Sequence, residues 1–307
     1  MDNQDIKVTV RCITYNQKDY IRQCLDGFVM QRTNFRFEAI VHDDASTDGT
    51  DEIVREYAEK YPDIIKPILE TENQYSKHDG SLGRIMNANT RGKYVAICEG
   101  DDYWTDPLKL QKQADFLDAN PQCSLTYHAC KNVFSTPCKV NILYGECVKE
   151  SYSDIDILSI YPFQTATVMY RKDILDSDLY KKAQAIGCTA GDQILFLTAS
   201  RLGTIEGVNE KMSVYRRHEG GISQHMYDAD KLWKNFKDWQ KVALLFGGNI
   251  RKKINKDKLG VYMYSAFTSR KYILFFKMLR LSMFKNPYSI VFSVILISSY
   301  YYHRLFK

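Results

Sequence analysis

Apolar and β-branched residues run almost unbroken through KVTVRCITYN (Lys7 to Asn16) and again through FRFEAIVHDD (Phe35 to Asp44). Each run stops abruptly at polar residues, as a buried parallel strand does on leaving a sheet. Between and after them the period changes. YIRQCLDGFVMQ carries its apolar residues near helical spacing, and STDGTDEIVREYAEKYP predicts a helix whose start is marked by Ser46, Thr47 and Asp48. Further strands are expected over Ile64 to Leu69 and Lys93 to Cys98. The Gly- and Asn-bearing segment SKHDGSLGRIMNANTRGK reads as a link between them. DPLKLQKQADFLDANP then predicts a helix with Pro107 at its first turn and Pro121 beyond its end. Strands alternating with helices predict an α/β fold: a mainly parallel central sheet flanked by helices.

The pattern changes beyond Tyr227. Trp233 to Phe246 reads as helical, residues 251 to 258 are rich in lysine, and KYILFFKMLRLSMFK mixes apolar and basic residues at helical spacing. NPYSIVFSVILISSYYY (Asn286 to Tyr302) carries no charge. Its 17 residues stand at the lower bound of what spans a bilayer, so a shallow or interfacial helix suits it equally. Charge sharpens this contrast. Of 42 Lys and Arg and 37 Asp and Glu, 13 basic residues but only one acid, Asp257, lie in 241–307. An acidic body thus carries a basic tail, which calls for an anionic partner. The uncharged run favours an anionic membrane surface, and no base-reading module supports nucleic acid. Ordinary helical core remains the other use for the aromatic tail.

At 307 residues and 45% hydrophobic content the chain is long enough for a large core. Its eight cysteines form no CxxC pair and several lie in apolar runs, which fits reduced thiols better than a disulfide framework or a thiolate metal site. MDNQDIKVTV has neither a basic n-region nor an apolar h-region, so a cytoplasmic protein, peripheral at the cytosolic face of the inner membrane, is expected.

Acidic residues concentrate where strands end. Asp43 and Asp44 close the second strand, Glu99, Asp101 and Asp102 follow the fourth, and Asp192 lies in CTAGDQILF. Open α/β sheets bind ligands at the carboxyl ends of their strands. Crowded carboxylates there raise one another's cost until something positive sits among them. A hard divalent cation, Mn²⁺ or Mg²⁺, answers that need with oxygen ligands and phosphate oxygens in its shell. Taken alone, the Asp43–Asp44 stretch with STDGT, and Asp192 before an apolar helix, also read as ordinary helix starts.

ITYN, HDDASTDGT and EGDDYW, in this order and spacing, resemble the motifs of an inverting family 2 glycosyltransferase of the GT-A fold, the bacterial surface-polysaccharide type, over roughly residues 7–225. The resemblance implies a GT-A domain over 1–225, with a nucleotide-binding half to about 105 and an acceptor-binding half over 106–225. A C-terminal helical, membrane-associating region would occupy 226–307. It implies a nucleotide-diphosphate sugar, by default a UDP-sugar, lying across the sheet's carboxyl edge, with Tyr15 against the base and Asp44 bonded to it. Asp101 would lie near the ribose or diphosphate, Asp102 on the metal, and Arg84 at about the place of a nucleotide-touching arginine. GDQ at 191–193 resembles the segment carrying the catalytic base, here Asp192, and His218 in VYRRHEGGIS stands where a histidine completes the metal shell. Arg216 and Arg217 suit phosphate. The usual DxD begins with aspartate, whereas this chain has Glu99, so the role of Glu99 stays open. The implied acceptor is a glycan or a polyprenyl-diphosphate-linked oligosaccharide. Two other readings stand beside this one. A sugar nucleotidyltransferase would carry a Gly-rich phosphate loop after the first strand, which ITYNQKDY lacks, and a non-catalytic nucleotide-sugar-binding or glycan-binding membrane protein would make no use of Asp192.

Overall fold

Strand β1 (Val8–Thr14), helix α1 (Lys18–Val29), β2 (Phe37–Asp43), α2 (Thr50–Lys60), β3 (Ile65–Leu69), α3 (Ser81–Asn89) and β4 (Tyr94–Ile97) alternate as the hydrophobic pattern requires. They are followed by β5 (Tyr103–Trp104), α4 (Lys109–Ala119), β6 (Cys123–Phe134), α5 (Asp154–Ile160), β7 (Met169–Arg171), α6 (Asp173–Asp176), α7 (Asp178–Gln184), α8 (Gly191–Leu202) and β8 (Thr204–Arg217). Helices α9 (Ala229–Phe246), α10 (Gly248–Lys253), α11 (Leu259–Thr268) and α12 (Tyr272–Lys285) complete the fold. The structure, a computed structural model, describes residues 5–134, 145, 150–160, 162–188, 190–218, 221, 229–285, 290, 291 and 294. Most of the uncharged run 286–302, and Glu219 and Gly220, lie outside the described residues. The chain divides into two compact units, one of Met1–Ser153, Tyr161–Lys181 and Leu195–His218, the other of Asp154–Ile160, Lys182–Ile194 and Glu219–Lys307.

The first unit is built on a sheet of order β3-β2-β1-β4-β7-β6-β8-β5. Its first four strands are all parallel, with Val8 in register with Phe37 on one side and Tyr94 on the other. β7 runs antiparallel between β4 and β6, β8 is parallel to β6, and β5 is antiparallel to β8. Every residue of β2 is buried, as expected of a strand covered on both faces. Val8, Val10 and Cys12 of β1 and Ala39 and Val41 of β2 pack with Ile21, Leu25 and Phe28 of α1 in one core.

Two local readings of the sequence are corrected. The presumed link before β4 contains α3, because Met86 is fully buried and its packing outweighs the weak helix propensity of Gly83, Asn87 and Asn89. Helix α2 starts at Thr50, after Gly49 in the left-handed region (φ 92°), so Ser46 and Thr47 belong to the preceding loop. Asp48 holds that start: its Oδ1 accepts the Thr50 amide at 3.0 Å and its Oδ2 accepts the Lys18 amide at 3.0 Å. One core residue is unusual. Lys109 is fully buried, donates to Gln113 Oε1 at 2.7 Å and lies 4.1 Å from the centre of the Trp104 ring, and burial pulls its ammonium down to about 7.

The second unit is helical. α9 buries Leu232, Phe236, Trp239, Val242, Ala243 and Phe246 along one face, and α11 contributes Leu259, Tyr262, Met263 and Ala266. α10 and α11 are joined by a π-helical turn over Ile254–Lys258. α12 buries Phe275 and Met278 but leaves Ile273 78% and Phe276 62% exposed.

The amino-terminal edge of the sheet is tied by polar bonds. Thr9 Oγ1 donates to the buried Glu38 at 3.0 Å and accepts the Gly92 amide at 2.8 Å, while the Arg91 guanidinium pairs with Glu38. A Cβ on Gly92 would stand 2.4 Å from the Thr9 nitrogen and 2.8 Å from the Tyr94 carbonyl oxygen. Both obstacles are backbone and cannot swing aside. Gly92→Ala should therefore lower the unfolding free energy by about 1–3 kcal/mol, the cost of overpacking, read from urea midpoints at unchanged slope.

Candidate functional site

The three motif-bearing strand ends meet at one edge of the parallel sheet. β1 is central there, since the Asp44 amide donates to the Thr14 carbonyl at 2.9 Å and the Gly100 amide donates to the Ile13 carbonyl at 3.0 Å. Gly100 has to be glycine, because a Cβ would lie 2.7 Å from Thr14 Oγ1 and 2.5 Å from Gln17 Oε1. The loops after β1 and β2 lock into each other: Ser46 Oγ accepts the Asn16 amide at 2.9 Å and Asn16 Oδ1 accepts the Thr47 amide at 2.8 Å. Asn16 (φ 51°) and Ala45 (φ 65°) both hold left-handed backbone without being glycine, strain of a kind that collects where loops are fixed for function.

Asp43 and Asp44 are both buried but differently employed. Asp43 accepts the Ser46 amide at 2.9 Å and the Ser46 hydroxyl at 2.5 Å. Burial raises its carboxyl above the ordinary value against the pull of these bonds. Asp44 Oδ1 accepts the Gln74 amide at 2.7 Å and Oδ2 the Tyr75 amide at 3.0 Å, which leaves each oxygen a further lone pair for a ligand donor. Tyr15, next to Thr14, is 47% exposed. Arg84 is turned to Asp79, donating to its carbonyl at 2.7 Å with the carboxylate 3.6 Å away.

Asp101, Asp102, Arg216 and His218 come together although 114 residues or more separate the two pairs. Pairing of β5 with β8, Tyr103 opposite Val214 and Trp104 opposite Ser213, brings the end of β8 to the acidic loop. The Arg216 amide donates to Asp102 Oδ1 at 2.8 Å and its guanidinium to the Asp101 carbonyl at 2.7 Å. That guanidinium lies 4.4 Å from the centre of the Tyr103 ring and 5.3 Å from that of Tyr20. His218 Nε2 is 3.0 Å from Asp101 Oδ2, and its ring lies 4.7 Å from Tyr20. Sequence reasoning missed Tyr20, Tyr103 and Thr165. Thr165 donates to Glu99 Oε2 at 2.6 Å, so the carboxylate at the atypical first position of the motif is bound to a hydroxyl. Nothing in the local pattern around Thr165 announces this partner.

Asp102, 2% exposed, has its carboxyl pushed well above the usual range, first by burial and then by the charge of Asp101. Two carboxylates and an imidazole with one charge so costly are a donor set that suits a hard divalent cation. Among the described residues no three such side chains are already drawn into ligating geometry, and Asp101 and His218 satisfy one another instead. In the other unit, Asp192 opens α8, at a helix start rather than a strand end, and its Oδ1 accepts the Gln193 amide at 2.7 Å.

A mixed sheet with a parallel half, and acids gathered at that half's carboxyl edge, makes this an α/β protein with its candidate site at the strand ends. Residues 9–178 match glycosyl transferase family 2, and the chain belongs to that family. An uncharacterised protein of Mycobacterium tuberculosis is 38% identical over 228 residues, covering 74% of this chain and 64% of the relative, so the chain spans less than two-thirds of that relative's length. The putative teichuronic acid biosynthesis glycosyltransferase TuaG of Bacillus subtilis is 28% identical over 251 residues, covering 80% and 93% of the two chains. Among solved structures, the fold is shared with S. aureus TarS 1-349 in complex with UDP-GlcNAc (20% identity, TM-score 0.55, 85% and 81% covered). It is shared also with the mannosyltransferase PcManGT of Pyrobaculum calidifontis in complex with GDP-Man and Mn²⁺ (19%, TM-score 0.57, 96% and 86% covered).

A raised carboxyl in the folded protein binds its proton more tightly than the unfolded chain does. The stability it contributes is complete below the ordinary value of 3.8 and is lost as pH rises through the folded value. Asp102→Asn keeps an acceptor for the Arg216 amide and removes the charge. It should raise the Tm of metal-free protein at mildly alkaline pH, by about 2–4 °C per kcal/mol relieved, and much less at mildly acidic pH. Scanning calorimetry at the two pH values checks this.

Proposed function

We propose that this chain transfers a sugar, with inversion, from a nucleotide-diphosphate sugar to a glycan or polyprenyl-diphosphate-linked acceptor in cell-surface polysaccharide synthesis. The observation that carries the reading is the gathering of the three loops onto β1 by the Asp44–Thr14 and Gly100–Ile13 hydrogen bonds. A nucleotide laid across that edge would meet Tyr15 and Asp44 at the base and Asp101 nearer the ribose and diphosphate. A UDP-sugar is the default donor, supported by the UDP-GlcNAc held by TarS, with the GDP-Man of PcManGT as the competing case. The name of TuaG supports the polysaccharide setting.

In the reaction the acceptor hydroxyl oxygen attacks the anomeric carbon from the face opposite the diphosphate. The bond from that carbon to the diphosphate oxygen breaks, and the electron pair leaves with the nucleotide diphosphate. Asp192, carried over from the family resemblance, takes the hydroxyl proton. Mn²⁺ or Mg²⁺ held by Asp102 and His218, with Asp101 beside them, would offset the charge gathering on the diphosphate. Arg216, already fixed between Tyr20 and Tyr103, supplies a second positive charge beside Asp101.

The membrane partner is assigned to α12. Ile273, Phe276, Lys277 and Arg280 follow helical spacing on the side opposite the buried Phe275, Met278 and Ser282. An apolar start and a basic end on one exposed face suit an anionic lipid surface. No helix among the described residues is long and apolar enough to cross a membrane, so a peripheral contact is the form proposed.

Two experiments test these readings. Nucleotide-diphosphate release is measured over a panel of UDP-, GDP- and TDP-sugars with Mn²⁺ or Mg²⁺. One donor should respond, chelation by EDTA should abolish the response, and Asp102→Ala and Asp192→Asn should each lower it by roughly a hundredfold or more. Release that survives in both variants removes the assigned roles. Separately, the full chain with Ile273→Ser and Phe276→Ser should sediment with anionic phosphatidylglycerol vesicles roughly tenfold more weakly than wild type, each lost side chain removing about 1.5–3 kcal/mol of burial at most. Equal sedimentation would exclude this face as the contact.

A further inference from the structure

A segment beside the acidic loop is buried except for one residue. From Pro162 to Tyr170 only Thr165 reaches out, and its hydroxyl donates to Oε2 of the half-buried Glu99 at 2.6 Å. Topology fixes where this happens. β7 runs antiparallel to β4, with Met169 opposite Ala96, so the 3₁₀ turn Thr165–Thr167 just ahead of β7 lies past the carboxyl end of β4. Along the sheet β2 and β1 are followed by β4 and then β7. A nucleotide-diphosphate sugar with its base at Asp44 and its diphosphate at the loop after β4 would therefore carry its sugar towards this turn.

The turn is held rigidly from behind. The Ala166 carbonyl accepts Trp104 Nε1 at 2.9 Å, the Thr167 carbonyl accepts Gln113 Nε2 at 2.9 Å, and the Thr167 hydroxyl donates to the Gln164 carbonyl at 2.6 Å. Such a supporting shell is what keeps a recognition group in one geometry. The acidic loop has other ties of its own: the Asp102 amide donates to the Glu99 carbonyl at 3.0 Å, the Gly100 amide to Ile13, and the Arg216 amide to Asp102. What the Thr165 bond adds is the direction of the Glu99 carboxylate. Because Thr165 spends its proton on Glu99, both side chains meet a ligand with lone pairs alone. The positive groups of this edge, Arg216 and the proposed cation, are placed at Asp101 and Asp102.

We propose that Thr165 is a specificity-determining residue for the donor sugar: it holds Glu99 so that the pair accepts hydrogen bonds and gives none, admitting a neutral hexose or N-acetylhexosamine and turning away a hexuronic acid. A neutral sugar brings hydroxyl or amide N–H donors to those acceptors. A hexuronate brings a second carboxylate against Glu99, with no donor to meet it, and such an unmatched pair is how a site rejects the wrong ligand. The inference rests on the donor reading above and adds to it the class of sugar.

The test is calorimetric titration of the full chain, with Mn²⁺ present, by UDP, UDP-glucose and UDP-glucuronic acid. Where GDP is the nucleotide that binds, GDP, GDP-mannose and GDP-mannuronic acid take their place. Wild type should bind the hexose donor about tenfold or more tighter than the hexuronate donor, the scale of one hydrogen bond to a charged group. Glu99→Gln removes the charge and supplies an N–H, and should narrow that ratio about tenfold. Thr165→Val should weaken the hexose donor and narrow the ratio in the same direction, and Thr165→Ser should restore both. Affinity for the bare nucleotide should hold in all three variants. A merely structural tie would weaken bare nucleotide and nucleotide-sugar together and leave the ratio unchanged, which overturns the proposal. A wild type that binds the hexuronate donor as tightly as the hexose donor overturns it too. Where Thr165→Val does not fold, the ratio in Glu99→Gln decides. Failure of UDP and GDP alike to bind would instead overturn the donor reading itself, and this inference with it.

Discussion

The carboxyl end of β1 is the point on which the rest depends. Ile13 and Thr14 accept one hydrogen bond from each side, from Gly100 and Asp44, so two acidic loops are anchored to a single strand. That anchoring forces carboxylates together before any ligand is present. Asp102 pays for it most visibly, with a buried carboxyl whose charged form is opposed by burial and by Asp101. The protein's own relief is partial: a backbone amide and a guanidinium from Arg216, and a hydroxyl from Thr165 to Glu99. The edge is thus assembled around an electrostatic deficit that positive ligands reduce.

Such an edge tolerates unfavourable loops only because the opposite edge is fixed. Glu38, 1% exposed, is matched by Thr9 and Arg91, and Thr9 in turn receives the Gly92 amide. Those bonds set the register of β1 against β2 and place Gly92 just ahead of β4. Slippage by one residue would turn every buried side chain of these strands to the wrong face. The left-handed Asn16 and Ala45 lie at the opposite end of strands whose register is fixed by these bonds.

The centre of the parallel half was legible because β1 and β2 are largely buried and read as nearly continuous apolar and β-branched runs, from Val8 to Thr14 and from Phe37 to Asp43. The three acid-bearing motifs stood out for the same reason, as abrupt ends to such runs. Legibility failed where long-range packing decides. Helix α3 is held by the burial of Met86 rather than by propensity, and Lys109 looks like a surface residue of α4 until the Trp104 ring and Gln113 close over it. The proximity of Arg216 to Asp102 depends on a two-residue strand, Tyr103–Trp104, that has no periodicity to detect. Thr165 reaches Glu99 across 66 residues with no pattern of its own.

The aromatic tail shows why composition alone left two readings open. Core packing and lipid contact draw on the same residue types, and periodicity separates them only when a helix has one apolar face. α12 has two. Phe275 and Met278 are consumed by packing within the helical unit, which accounts for the first reading. Ile273 and Phe276 are not, and their exposure lies beside Lys277 and Arg280 rather than beside acids. Burying each of these large apolar side chains would be worth about 1.5–3 kcal/mol, which is what the proposed lipid contact offers. The basic neighbours fit the anionic lipid surface proposed for this face.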